Sequence, residues 1–136
     1  MKKSLSLVLS LFMFCAIQAT SSLAESSIAG IYSGTWNDDS GSSGGINLEL
    51  KYAATQSWSV GVKVTAAGDS VPVTVNSVTV DGGDVVIVFE YRVDGKTSSV
   101  NLKGSVEEHR FAGEFEVSNR KGKTTSTGTW SSTREI

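Results

Sequence analysis

Cysteine is nearly missing from this chain of 136 residues: its one copy, Cys15, lies in an apolar N-terminal stretch. A lone cysteine excludes an intrachain disulfide and a thiolate-rich zinc site, so stability has to come from packing and backbone pairing. Histidine is equally scarce, with His109 alone, and any Ser-His-acid arrangement would rest wholly on it. Its neighbours Glu107, Glu108 and Arg110 are charged and flank a predicted turn, which makes a solvated turn histidine the expected role. A zinc site would need three carboxylates from scattered strands, and no ligand spacing supplies them. The acidic turns at Asp38 and Asp39 and at Asp81 and Asp84 fit no twelve-residue calcium loop. The chain is therefore expected to be a non-enzyme without catalytic residues, metal ligands or cofactor.

Long apolar runs are absent too. The longest, Leu5 to Ile17, covers about 13 residues and contains Ser6 and Ser10, against the roughly 20 needed to cross hydrocarbon. Lys2 and Lys3 precede it and the small residues of Ser22-Leu23-Ala24 follow, the pattern of a secretory leader over residues 1–24 cut before Glu25. Export to the periplasm or the medium is expected, with no membrane span after cleavage. Lipid attachment at Cys15 wants a small preceding residue, and Phe14 stands there, so the cysteine is expected to leave with the leader. Residues 25–136 then form one domain, since 112 residues suffice for one and not for two. Without Lys2 and Lys3 the balance is 10 basic against 14 acidic residues, a net charge of −4. Nucleic acid, which requires a basic face, is not an expected partner.

What the mature chain does have is alternation. Ile46, Leu48, Leu50 and Tyr52 interleave with Asn47, Glu49 and Lys51; Trp58, Val60, Val62 and Val64 with Ser59, Gly61 and Lys63; Phe111, Gly113, Phe115 and Val117 with Ala112, Glu114 and Glu116. A period of two marks strands with one buried face, and no window carries a helical repeat. Turn residues at Asp38 to Gly45, Asp81 to Asp84, Asp94-Gly95 and Asn119 to Gly122 separate the runs. Eight strands are predicted, near 28–36, 46–53, 57–65, 71–80, 84–92, 97–105, 110–118 and 124–132. Connections this short impose an antiparallel meander. The apolar parity switches between Val75 and Val78, which predicts a bulge near Asn76 and Ser77, and Pro72 falls where a strand tolerates a missing donor.

An eight-stranded meander hides both edges by closing on itself, so the predicted fold is an all-β, closed up-and-down barrel, with a two-sheet β-sandwich as the alternative. Gly34-Thr35-Trp36 on the first strand, Gly128-Thr129-Trp130 on the last and Gly113-Glu114-Phe115 on the seventh suit strongly coiled strands, where glycine admits a bulky ring.

Through Gly34-Thr35-Trp36 and the strand count the chain resembles the calycin-like barrels, the lipocalins and avidins. The lipocalin resemblance implies an arginine packed over the first-strand tryptophan, a part open to Arg134. The segment from Gly30 to Ser42 is similar to an avidin first strand and loop, which implies polar ligand contacts from Asp38 and Ser42. The later avidin tryptophans and the final aspartate strand have no counterpart here. The stretch from Val71 to Gly82 looks like small bacterial β domains found alone or beside exported hydrolases.

The inward set consists mostly of large residues, among them Tyr32, Trp36, Leu48, Tyr52, Trp58, Phe89, Tyr91, Leu102, Phe111, Phe115 and Trp130, and is expected to fill much of the interior. A deep cavity is not expected. A shallow site at one mouth is, with Tyr32, Trp36, Trp58 and Trp130 as candidate walls, because aromatic rings beside a few polar groups suit amphiphiles and sugars. Two carboxylate arrangements, Glu114 with Glu116 and Glu90 with Arg92, are expected to face outward as surface charges. The leading expectation is a binding or interaction module of the bacterial envelope, taking a small amphiphilic ligand or a protein partner at a barrel mouth. The alternatives are an accessory domain or weak hydrolase of an exported enzyme system, and an assembly protein acting through strand edges such as Thr124 to Thr133. Oligomeric state is open.

Overall fold

A computed structural model describes residues 28–53 and 57–135. The leader, its cleavage site and Cys15 lie outside the described residues. Nine antiparallel strands make one sheet: β1 Gly30–Asp38, β2 Ser43–Tyr52, β3 Trp58–Ala66, β4 Asp69–Val71, β5 Val73–Asp81, β6 Asp84–Val93, β7 Lys96–Glu107, β8 Arg110–Ser118 and β9 Thr124–Arg134. Their order across the sheet, β4-β3-β2-β1-β9-β8-β7-β6-β5, places the first and last strands side by side. The sheet is thus a nearly closed barrel, not a sandwich.

Nine strands stand where eight were predicted because Pro72 divides the fourth. Before it, Val71 pairs with Val64 on β3; after it, Val73 pairs with Tyr91 on β6. Proline has no N–H to give the β3 ladder, so the chain changes partner there. The change leaves one seam, between β3 and β5, across which no ladder is formed among the described residues. The inward valines beside it, Val60, Val62, Val75 and Val78, are accordingly only half-buried. The bulge predicted near Asn76 is present as a register shift between Val75 and Ser77, and the Asn76 amide donates to Glu90 Oε1 at 3.1 Å. The segment Thr124 to Thr133 is not an edge: β9 is paired on both sides, to β1 and β8. The terminal strands complete each other, and this removes the expected site of strand addition.

Alternation places Leu48, Leu50, Val85, Ile87, Val100, Leu102 and Phe111 in the core. One end of the barrel is plugged. Tyr32 and Phe111, both 0 % exposed, meet edge to face at 5.3 Å, and Phe111 meets Trp130 at 4.6 Å. The Tyr32 hydroxyl donates to the Ile28 carbonyl at 2.7 Å and the Ser132 hydroxyl to the Phe111 carbonyl at 2.7 Å, so these two buried hydroxyls are satisfied, whereas the buried Trp58 indole N–H at the same end has no hydrogen-bond partner among the described residues. Arg134 covers the plug, its guanidinium 5.7 Å from the Tyr32 ring centre and donating to the Ala29 carbonyl at 2.6 Å. The arginine therefore lies over Tyr32 and not over Trp36: the terminal residue of β9 pairs with Tyr32, at the opposite end of β1 from the tryptophan. Burial raises the Tyr32 phenol above its ordinary pKa, with Arg134 pulling the other way.

Two tryptophans brace the coiled sheet by one device. Trp36 on β1 lies across Gly44 of β2 and donates from Nε1 to the Thr65 carbonyl of β3 at 3.1 Å. Trp130 on β9 lies across Gly113 of β8 and donates to the Lys103 carbonyl of β7 at 3.1 Å. In each case the skipped strand carries a glycine because the next strand's backbone occupies the place of a side chain, and at Gly44 the indole does so as well: a Cβ there would fall 1.9 Å from the Thr65 oxygen and 2.7 Å from Trp36 Nε1, and one on Gly113 would fall 1.9 Å from the Lys103 oxygen.

Candidate functional site

In an antiparallel barrel the C-terminal ends of alternate strands gather at one mouth, together with the N-terminal ends of those between. At the unplugged mouth this brings together the ends of β1, β3, β6 and β8 and the starts of β2, β4, β7 and β9. Below it lies a cavity of about 180 Å³. Its floor is Ile46, Phe89, Leu102 and Phe115; its walls include Trp36, Val64, Tyr91, Val100 and Val117; Ala66, Val71 and Val93 stand near the rim. The polar side chains that line it belong to Asp38, Ser126, Tyr91 and Trp36, and the indole N–H of Trp36 is already bonded to Thr65. Trp36 and Phe115 meet edge to face at 6.2 Å, which fixes both rings as cavity wall.

Of the residues singled out from sequence, Trp36 and Asp38 line this cavity and the others do not. Tyr32 and Trp130 are spent in the plug. Trp58 packs against Tyr52, the rings tilted with centres 4.8 Å apart, at the opposite end of the barrel. The nine strands put these aromatics at different heights on the inner face, and equal parity could not reveal height. Ser42 supports Asp38 instead of facing a ligand: Asp38 Oδ1 accepts from Ser42 N at 2.8 Å, Ser40 N at 3.0 Å and Ser40 Oγ at 2.8 Å. Phe89, Tyr91, Val117 and Ser126 were not singled out as site residues. Counting inward positions from the strand ends that share a mouth with Asp38 is the signal that finds them.

These bonds, led by the Ser40 hydroxyl, hold the Asp38 carboxyl below its ordinary pKa of 3.8. A folded-state value below the unfolded one means that the ionised carboxylate stabilises the β1–β2 loop at pH above about 3.8, and that this contribution disappears as pH falls through the lower folded value. Asp38→Asn keeps an acceptor oxygen and removes the titration. The wild-type melting temperature is expected to exceed that of the variant above pH 4 and to converge with it in stronger acid. A gap that stays constant through the acid range in thermal melts would remove this account of the loop.

Glu114 and Glu116 are exposed on the outer face of β8, opposite Lys103 and Asn101 of β7, and with Asp39 and Thr127 they border a shallow outer depression of about 520 Å³. Glu90 and Arg92 share the outer face of β6, whose inward residues are Val85, Ile87, Phe89 and Tyr91. His109 is exposed in the β7–β8 turn at the plugged end; its carbonyl accepts the Arg134 N–H at 2.7 Å, and its side chain makes no hydrogen bond or ion pair among the described residues. The chain matches no family model and no curated protein sequence.

Proposed function

We propose that the protein is an exported, non-enzymatic binding module of calycin-like architecture that holds a small amphiphilic ligand in the open mouth of its barrel. The apolar cavity of about 180 Å³ beneath a rim that bears a carboxylate carries this reading. Its size exceeds that of an engineered apolar cavity of about 150 Å³ that admits benzene, and falls short of the roughly 300 Å³ at which drug-sized pockets begin. One aromatic ring or a short chain therefore fits, and a long acyl chain does not. A hydrolase built on His109 has less support, because that residue stands at the plugged end with no carboxylate or serine hydroxyl bonded to it.

Toluene is the simplest probe of the space. At about 100 times its dissociation constant a native-state ligand stabilises by about 2.7 kcal/mol, which for a domain of this size raises the melting temperature by about 10 °C. Ala66→Phe, placed at the rim, is expected to fill the cavity, leave the fold intact and abolish the rise. Native mass spectrometry of protein purified from its own host should show the bound species directly. A melting temperature that toluene does not move, together with a bare mass, would sink the proposal.

A further inference from the structure

The mouth has a sign. Among the described residues Asp38 is the one charged residue lining the cavity, and the Ser126 hydroxyl, which also lines it, donates to the carboxylate of Asp39 at 3.1 Å. Asp38 alone of these two carboxylates lines the cavity; Asp39 borders the outer depression beside it. The basic residues at this end, Arg92 at the end of β6, Lys96 at the start of β7, and Arg120, Lys121 and Lys123 on the β8–β9 loop, are exposed and line none of the cavity. The donors from Ser40 and Ser42 converge on Oδ1 of Asp38 and the Ser126 hydroxyl also acts on the carboxylate, whose two oxygens together carry more lone pairs than these donors use, so a further donor can be accepted. Lower down, Trp36, Phe89, Tyr91 and Phe115 line the space, and an aromatic face attracts cations and repels anions.

We infer that the ligand is a small organic ammonium: a protonated amine on one apolar ring or short chain, with the ring in the cavity and the ammonium against Asp38. An anionic amphiphile would set its own charge beside Asp38 with no cationic lining residue to offset it, and a neutral one would forgo the charge-assisted hydrogen bond. This inference rests on the cavity being a ligand site, and its test separates the two.

Three probes with the same ring and different heads are sufficient: benzylamine, benzyl alcohol and benzoate, titrated calorimetrically into the mature protein at neutral pH and low salt. Benzylamine is expected to bind about tenfold more tightly than benzyl alcohol, the size of one charge-assisted hydrogen bond, and benzoate more weakly than either. The advantage of the amine should shrink as salt is added. In Asp38→Asn the advantage of the amine over the alcohol should vanish, since asparagine retains the oxygen to which Ser40 and Ser42 donate and loses the charge. Equal binding of amine and alcohol by the wild-type protein, or tightest binding of benzoate, overturns the ammonium assignment and leaves the cavity reading standing. Binding of none of the three overturns both. The wild-type comparison decides the matter even if the variant fails to fold.

Discussion

Gly113→Ala is expected to lower stability by at least about 3 kcal/mol, the upper end of what overpacking costs, because the clash is with backbone and no rotamer change relieves it. A Cβ there would lie 1.9 Å from the Lys103 carbonyl oxygen and 2.6 Å from Gly104 Cα. Relief requires β7 and β8 to separate, and Trp130 bridges that pair through its bond to Lys103. For a domain of ordinary stability, about 5–15 kcal/mol, the loss is a large fraction of the total. Gly61→Ala is the matched control. Its Cβ would meet only Glu49 Cβ, at 3.9 Å, on an exposed position of β3, so it is expected to be neutral or to stabilise by about 0.5 kcal/mol. Urea denaturation of the two variants makes the comparison; equal midpoints would show that the tight coil around Gly113 is not what the tryptophan brace depends on.

Trp130→Ala is expected to cost about 3–5 kcal/mol, the range for removing a large aromatic side chain from a packed core. Trp130 is 3 % exposed, meets Phe111 edge to face and donates to the Lys103 carbonyl, so its removal leaves a void and loses that hydrogen bond. Trp36→Ala tests the other copy of the motif. Trp36 is half-buried and one side of it already faces the cavity, so its loss is expected to cost about half as much while enlarging the ligand space. Two Gly-Thr-Trp segments of the same composition should therefore separate in function, one acting on stability and the other on binding. Equal destabilisation by the two alanine variants, measured in parallel denaturant melts, would refute that division.

Much of the barrel is legible in the chain because strand alternation has a period of two wherever one face is buried. Tyr32, Leu48, Leu50, Ile87, Phe89, Leu102, Phe111 and Trp130 are inward by that rule and buried in the fold. Parity broke at Asn76, and a bulge is there. The half of the site that consists of Trp36 and Asp38 was legible from the first strand and its loop. The half supplied by Phe89, Tyr91, Val117 and Ser126 was not, since each lies more than 50 positions from Trp36 and only closure brings them to one mouth.

Alternation and turns, and hence an antiparallel all-β meander, follow from the chain alone, because these depend on local backbone preference and on which face is apolar. Tertiary structure alone decided three things. It assigned Pro72 to a change of partner strand, which requires two ladders competing for one segment. It set the height of each aromatic along the barrel axis, so that Tyr32 and Trp130 plug one end while Trp36 lines a cavity at the other. It set the backbone N–H of Ser42 against Asp38 and left Ser42 outside the cavity lining. Strand register is fixed by which residues face each other across the sheet, and a linear pattern carries parity without carrying height.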